Sequence, residues 1–337
     1  METGRMVLGI DVSKSDFHVC LKESREGQVK IRGSHKFENS PGGFKALDEW
    51  LSARKGGYTS VHSVMEATGV YHEDLAHFLF SREIPVSIEL PNRIKYFAKS
   101  INLKTKTDKV DAAMIASYGL ERSPVPWYPM SDKYFHARQL CRELLQFKKD
   151  MTRCKNQLHA LQHARETMPL ARELKEKHLK FLEQTIKQIE QEIILLSKQD
   201  ENFSRKVERL ETIPGMGRIT IMIILCETNG FGAFHNARQL TSFAGLDVIE
   251  RQSGIFKGKT RISKKGNKYI RQCLYMPAMT ACRFNKPIKE LNQRIIEKNP
   301  GGKRKGIVAG MRKLLILNYI LWKKEQDFDP GYKWKKE

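Results

Sequence analysis

The 337-residue chain is short of negative charge: it carries 38 Asp and Glu against 60 Lys and Arg, a formal net charge of +22. A chain so unbalanced repels itself unless an anion neutralises it, which disfavours a purely small-molecule function and predicts a polyanionic partner. Long apolar runs are missing as well. The two longest, residues 219–226 and 314–322, are under half of the roughly 20 residues that cross a bilayer, and no secretory leader is recognisable. The six cysteines, Cys20, Cys141, Cys154, Cys226, Cys273 and Cys282, form no C-x-x-C pair and no zinc spacing. They argue against a zinc module and read as buried, reduced thiols of a cytoplasmic protein. No G-x-x-x-x-G-K-[ST] loop is present, so ATP bound in that manner is not expected.

The organisation of what is there follows from its periodicities. Over residues 1–122, apolar segments at 6–10, 17–21, 31–37, 61–65 and 86–90 have the length of strands, and helical patterns fall near 43–54 and 71–80. That order predicts an α/β domain with a mixed sheet of the ribonuclease H type. Three prolines within residues 124–129 break the pattern and predict a linker. Beyond them Leu140, Leu144, Phe147, Met151, Cys154, Leu158 and Leu161 repeat at alternating steps of four and three. Leu182, Ile186, Ile189, Ile193 and Leu196 resume the rhythm after Pro169. This heptad seam predicts coiled-coil helices in residues 123–209, paired either as a hairpin within the chain or between chains. His159 and His163 stand one turn apart there, with no acid or cysteine nearby to complete a metal site.

Residues 210–337 read as a third, mostly helical domain. Ile213-Pro214-Gly215-Met216-Gly217 ahead of an apolar helix has the form of a helix-hairpin-helix turn, in which Gly215 and Gly217 would let backbone N–H groups approach a DNA phosphate. An ordinary helix-to-helix turn is the alternative. The loop at 251–272 then holds eight Lys and Arg, three Gly and no acid. Residues 251–337 together hold 23 Lys and Arg against 6 Asp and Glu, which marks this quarter as the main phosphate-contacting surface.

Four acids in the first domain carry a chemical reading. Asp11 ends the segment 6–10, Glu66 ends the segment 61–65, and Asp108 and Asp111 lie three apart at the start of a helical segment, so both can point toward the strand ends. Carboxylates gathered about one point repel each other unless a hard cation lies between them, and Mg²⁺ (or Mn²⁺) takes oxygen ligands. Two such ions would stabilise the attacking and leaving oxygens of a phosphoryl transfer. Singly, each acid has an ordinary explanation as a turn or cap residue. Their joint order, and the words around them, make the case.

Those words are G-I-D-V-S-K at 9–14, M-E-A-T-G-V-Y at 65–71 and K-T-D-x-x-D-A at 106–112. As a set they resemble the DEDD-type transposases of the insertion-sequence one-ten family, the bridge recombinases, whose N-terminal domain is similar to the RuvC Holliday-junction resolvase. The segments 210–225 and 234–272 resemble that family's C-terminal transposase domain, so the likeness spans residues 6–320. The resemblance implies DNA cutting and rejoining, with Asp11, Glu66, Asp108 and Asp111 as metal ligands and a serine that forms a covalent phosphoserine with DNA. It also implies a structured bridge RNA whose loops pair with target and donor DNA. Ser253, in R-Q-S-G-I-F-K-G-K, matches the serine by its S-G word and its distance before I-S-K-K-G-N; Ser263 is the runner-up and Ser242 reads as a helix residue. Because recombination needs several protomers, the heptad seam is expected to pair between chains, in a homo-oligomer that is a dimer, or a tetramer in the synaptic complex. The expected setting is the cytoplasm of a bacterium or archaeon, in association with the nucleoid.

Elementary chemistry suits that serine. A hydroxyl among Arg251, Lys257, Lys259, Arg261, Lys264, Lys265 and Lys268 can meet a phosphate closely, and the cations stabilise charge developing on its oxygens. A protein–DNA ester also retains the free energy of the phosphodiester, so strands can be rejoined without ATP. A second basic stretch sets Arg93, Lys95, Lys99, Lys104 and Lys106 around Tyr96 and Phe97, which offers cations for a backbone and rings for RNA bases. A solvated helix face is the alternative there. From the residues alone, a RuvC-like junction nuclease using water remains open. An actin-like ATPase would find a phosphate loop in G-I-D-V-S-K-S but no second D-G motif, and a non-enzymatic DNA-binding protein would leave four acids idle.

Overall fold

The computed structural model describes residues 4–54, 61–105, 107–250, 252–254, 256–258 and 260–331. Of the residues singled out above, Lys106, Arg251 and Lys259 lie outside the described residues, as does the side chain of Lys257. The chain divides into two units, residues 1–129 and 130–337.

In the first unit β1 (Arg5–Val12), β2 (Asp16–Arg25) and β3 (Gln28–Glu38) form an antiparallel meander. They are followed by α1 (Pro41–Ser52), β4 (His62–Glu66), α2 (Glu73–Ser81), β5 (Val86–Glu89), α3 (Pro91–Ser100) and α4 (Asp108–Arg122). β4 pairs parallel with β1 and β5 parallel with β4, giving the order β3-β2-β1-β4-β5, a mixed sheet as expected of the ribonuclease H type. The pleat sorts residues onto two faces. Leu8, Ile10 and Met65 join Phe17, Leu47 and Leu75 in one core, while Val7 and Val64 pack with Ile94, Phe97, Ile115 and Ala116 in another. With both faces covered, β1 reads as a continuous apolar run instead of an alternating one.

The expected linker at 123–129 belongs to this unit instead. The Trp127 N–H donates to the Val86 carbonyl at 2.6 Å, and the Ser87 hydroxyl lies 3.1 Å and 2.8 Å from the carbonyls of Pro124 and Val125. Proline ends a helix but tolerates extended backbone along a sheet edge, and that is where this segment lies.

The second unit begins with α5 (Asp132–Gln162) and α6 (Pro169–Lys198), followed by α7 (Glu201–Glu211), α8 (Arg218–Glu227) and α9 (Ala237–Phe243). Four short strands come next, β6 (Val248–Ile249), β7 (Gln252–Ser253), β8 (Phe256–Lys257) and β9 (Arg261–Ile262). Then come α10 (Lys268–Phe284), α11 (Lys286–Lys298) and α12 (Lys303–Lys324). The helical C-terminal region is as the sequence predicts, but the heptad seam closes differently. α5 and α6 fold back on each other as an antiparallel hairpin, with Lys148 paired to Glu190 at 2.6 Å and Lys155 to Glu183 at 3.3 Å across it. Leu144, Cys154, Leu182, Ile186 and Ile193 are buried inside the chain. The expectation that this seam pairs between chains is therefore corrected: a heptad repeat states that helices pair, not whose helices they are. Nor do the central helices stand apart, because Leu144, Ile186 and Ile193 share one core with Val207, Leu225, Leu274 and Leu314.

Candidate active site and nucleic-acid interface

The site is built from the ends of β1 and β4 and the start of α4. Ile10 is paired with Met65, so Asp11 and Glu66 lie at the ends of neighbouring parallel strands. Counting alternation from Val7 and Val64 puts both acids on the α4 face. α4 comes down onto that face because two side chains are missing. A Cβ on Gly9 would lie 2.2 Å from the Ala112 carbonyl oxygen and from the Ala116 nitrogen, and one on Gly119 would lie 2.6 Å from Val7 and 2.8 Å from Val64. Thr107 caps the helix, accepting from the Val110 N–H at 3.3 Å, so capping does not account for Asp108. α4 starts at Asp108, and Asp108 and Asp111 occupy its first turn, where the helix dipole favours carboxylates.

Two residues that the sequence reading passed over belong to the same corner. His18 is the cross-strand partner of Asp11, and its Nδ1 lies 3.7 Å from Asp108 Oδ2. Hairpin register around the turn at 13–15 would have found it. Glu89 is paired with Glu66 across β4 and β5, is buried, and holds Arg93 at 3.1 Å. Tyr118 joins this pair, its phenol pushed above the ordinary value by burial and by Glu89. Arg93, expected at a nucleic-acid contact, makes this ion pair while its side chain stays 65% exposed. Phe97, expected to stack on bases, is buried and packs edge-on to Tyr118 at 5.3 Å. An amphipathic helix alternates core and solvent: Arg93, Lys95, Tyr96 and Lys99 of this stretch of α3 are exposed, as is Lys104 beyond it, while Ile94 and Phe97 are buried.

All four expected metal ligands therefore share one corner of one face. Their side chains are not drawn to a point: among the described residues, no three His, Cys, Asp or Glu side chains stand close enough to hold one ion. The donor chemistry nevertheless fits a hard divalent cation, since these are oxygen donors on backbones fixed by the close approach at Gly9 and Gly119.

In the second unit the basic loop is a nested hairpin. β6 pairs with β9 at its base, Val248 with Ile262, and β7 pairs with β8 near its tip, Ser253 with Phe256. Ser253 is exposed beside Gly254, whose φ of +55° has the left-handed turn that glycine favours and whose surroundings are open. Arg261, Lys264, Lys265 and Lys268 are exposed along the returning strand and after it. Ser263 is placed differently. Its hydroxyl is hydrogen-bonded to the Asp247 carboxylate and its N–H donates to the Asp247 carbonyl at 2.9 Å, which clips the hairpin base together. Ser242 lies on α9.

A buried charged cluster anchors the end of this loop. Glu227, at the end of α8, accepts from Arg142 Nε at 2.6 Å and Nη2 at 2.9 Å, and from Asn267 Nδ2 at 2.6 Å. Asn267 in turn caps α10 by accepting from the N–H groups of Tyr269 and Ile270, and Arg142 lies over the Tyr269 ring at 4.6 Å. Glu227 was legible only as an acid closing an otherwise apolar helix. The helix-hairpin-helix turn splits its two glycines between tasks. A Cβ on Gly215, at φ +101°, would lie 2.8 Å from the Pro277 carbonyl, so the missing side chain lets the turn seat on α10. Gly217, at the N-cap of α8, has open space around it.

Comparison with known proteins agrees across both units. A DEDD transposase family matches residues 8–169, and the family described as "Transposase IS116/IS110/IS902 family" matches residues 207–293. The pilin gene-inverting proteins of Moraxella bovis and Moraxella lacunata are each 30% identical over 323 residues, 96% of this chain and 97% of theirs. The transposase for insertion sequence element IS1111A of Coxiella burnetii is 30% identical over 104 residues, 31% of this chain and 28% of that protein. Among solved structures, Thermus thermophilus RuvC in complex with a Holliday junction substrate overlaps 36% of this chain and 99% of its own, at 13% identity and a TM-score of 0.28. Matched in both of its units, and along nearly its whole length by relatives at 30% identity, the chain belongs to the IS116/IS110/IS902 family of insertion-sequence transposases.

Proposed function

We propose that this transposase cuts and rejoins target and donor DNA through a covalent phosphoserine at Ser253, with Asp11, Glu66, Asp108 and Asp111 holding Mg²⁺ or Mn²⁺, under the direction of a structured guide RNA. The observation that carries the reading is the carboxylate corner itself: four acids brought to one end of a ribonuclease H-like sheet by a helix that two glycines let down onto it. In the cutting step the Ser253 oxygen attacks phosphorus and gives up its proton. The phosphorus–oxygen bond to one strand end breaks, and that end leaves as a free hydroxyl. The other end stays esterified to the serine, and attack by a second strand's hydroxyl reverses the step and frees Ser253. When bound, the divalent ions supply Lewis-acid stabilisation of charge developing on the phosphate oxygens. Exposed Lys95 and Tyr96 on α3 support an RNA contact, a cation for the backbone beside a ring for a base.

The adduct tests this. Wild-type protein is expected to carry a nucleotide on Ser253 after nuclease digestion and mass spectrometry, and Ser253→Ala to bind DNA yet form neither adduct nor recombinant. The Ser263–Asp247 contact supports a second reading, in which the carboxylate takes the proton of the attacking hydroxyl. A nucleotide mapped to Ser263 would establish it. Protein-free cleaved ends, with Ser253→Ala fully active, would instead establish a nuclease that uses water. Sequencing of RNA that copurifies with the protein tests the guide, which fails if no discrete RNA is enriched.

A further inference from the structure

Between the base of the Ser253 hairpin, α11 and α12 lies a cavity of about 720 Å³ for which the chemistry above has no use. Its floor is aliphatic, made by Leu246, Ile262, Ile295, Val308 and Ile316, and its rim carries Arg261, Arg304, Arg312 and Lys313. No acid lines it among the described residues. Lys305 Nζ is held at 3.0 Å by Asn299 Oδ1, whereas none of the four rim cations is in an ion pair among the described residues.

The start of α12 adds a second signal. This 22-residue helix has Gly302 at its N-cap with no side-chain hydrogen bond, no acid in its first turn, and Lys303, Arg304 and Lys305 there instead. Cations at a helix N-terminus stand against the dipole, and although the Lys305 N–H donates to the Gly302 carbonyl at 2.7 Å, no N-cap side chain meets the N–H groups before it. An anion at that end relieves both. A lone phosphate would satisfy the rim and leave the aliphatic floor empty. A nucleotide satisfies both, with an apolar ring face for the floor and phosphates on either side for the cations.

We propose that this groove receives one unstacked base of a single-stranded stretch of DNA, its flanking phosphates held by Arg304, Arg312 and Lys313. The proposal rests on the DNA-recombining reading above and deepens it. A duplex hides its bases in the stack, so the groove selects strands already opened beside the hairpin that carries Ser253.

The experiment compares two probes on the full-length protein: an octamer of thymidylate, and an octamer with the same phosphates but abasic sugars. Wild type is expected to bind the thymidylate about tenfold more tightly. Ile295→Trp, and independently Ile316→Trp, fill the groove and are expected to shrink that ratio while leaving abasic affinity unchanged. Arg312→Ala with Lys313→Ala is expected to weaken both probes alike and to lower the slope of log affinity against log salt by about 1.4. A 4-thiothymidine octamer is expected to cross-link to peptides of α11 or α12. A base preference unchanged in both tryptophan variants, or cross-links confined to other segments, would overturn the proposal, including the case in which a second protein chain occupies the groove. Loss of the Ser253 adduct with the base preference intact would strike the phosphoserine reading and leave the groove standing.

Discussion

Glu227 and the carboxylates of the sheet corner are the same chemical group under opposite demands. The Glu227 side chain is 1% exposed, and Arg142 and Asn267 satisfy its carboxylate oxygens. Arg142→Ala leaves that charge without its counter-charge in the core and is expected to cost about 3–5 kcal/mol in urea unfolding. In the proposed function the corner acids serve chemistry instead. Asp11→Asn, Glu66→Gln and Asp111→Asn are each expected to abolish strand cleavage while changing stability by no more than about 0.5 kcal/mol. Wild-type cleavage by any of the three, read on labelled oligonucleotides without excess metal, would refute the assignment. Asp108→Asn is expected to behave alike. A pH effect belongs to Tyr134, whose phenol is pushed up to about 12 by burial, with Cys226 and Asp200 adding to it. Its neutral form is favoured in the folded state, so the associated stability is complete below the unfolded value of about 10 and is lost as pH climbs toward 12. Absorbance at 295 nm should show one tyrosine ionising only near the upper value.

Among the elements, legibility tracked how much of the reason for a structure lies within one segment. Strands β1, β2, β4 and β5 were readable because their apolar runs need only their own residues. The acids were readable because each ends or begins an element. α3 was half hidden: Arg93, Lys95 and Lys99 are exposed, but Ile94 and Phe97 between them are its core face. The closure of α5 on α6 was hidden because intramolecular and intermolecular seams carry the same heptads. Least visible was Gly9, which looks like any glycine in a strand until α4 is seen against it. Gly9→Ala is expected to push α4 off the sheet, because the Ala112 carbonyl and the Ala116 nitrogen belong to backbone and cannot swing away. Cleavage should be lost with every acid still present, and stability should fall by about 1–3 kcal/mol. Full activity in this variant would show that the helix can shift without disturbing the corner.

For the molecule as a whole, a net charge of +22 makes the salt dependence of DNA affinity steep. With the inner seam closed, self-association needs another surface, and α6 offers one. Leu170, Leu174, Phe181 and Leu195 are exposed at helical spacing on its outer side. We expect wild type to form a dimer or larger assembly in solution and Leu174→Glu with Phe181→Glu to be monomeric by light scattering, with far-UV circular dichroism unchanged. The same mass for both proteins would count against this face. No described helix is long and apolar enough to cross a membrane.

The close approach at Gly9 also bears on how genes of this kind decay. An insertion sequence multiplies by copying, and its copies drift. A copy that loses an acid announces its failure to anyone reading the sequence. A copy that gains one methyl group at position 9 keeps all four acids and the serine, and looks competent. Counts of working copies that score only the chemistry would then run too high, and the inconspicuous glycine under α4 would be the truer mark of a live one.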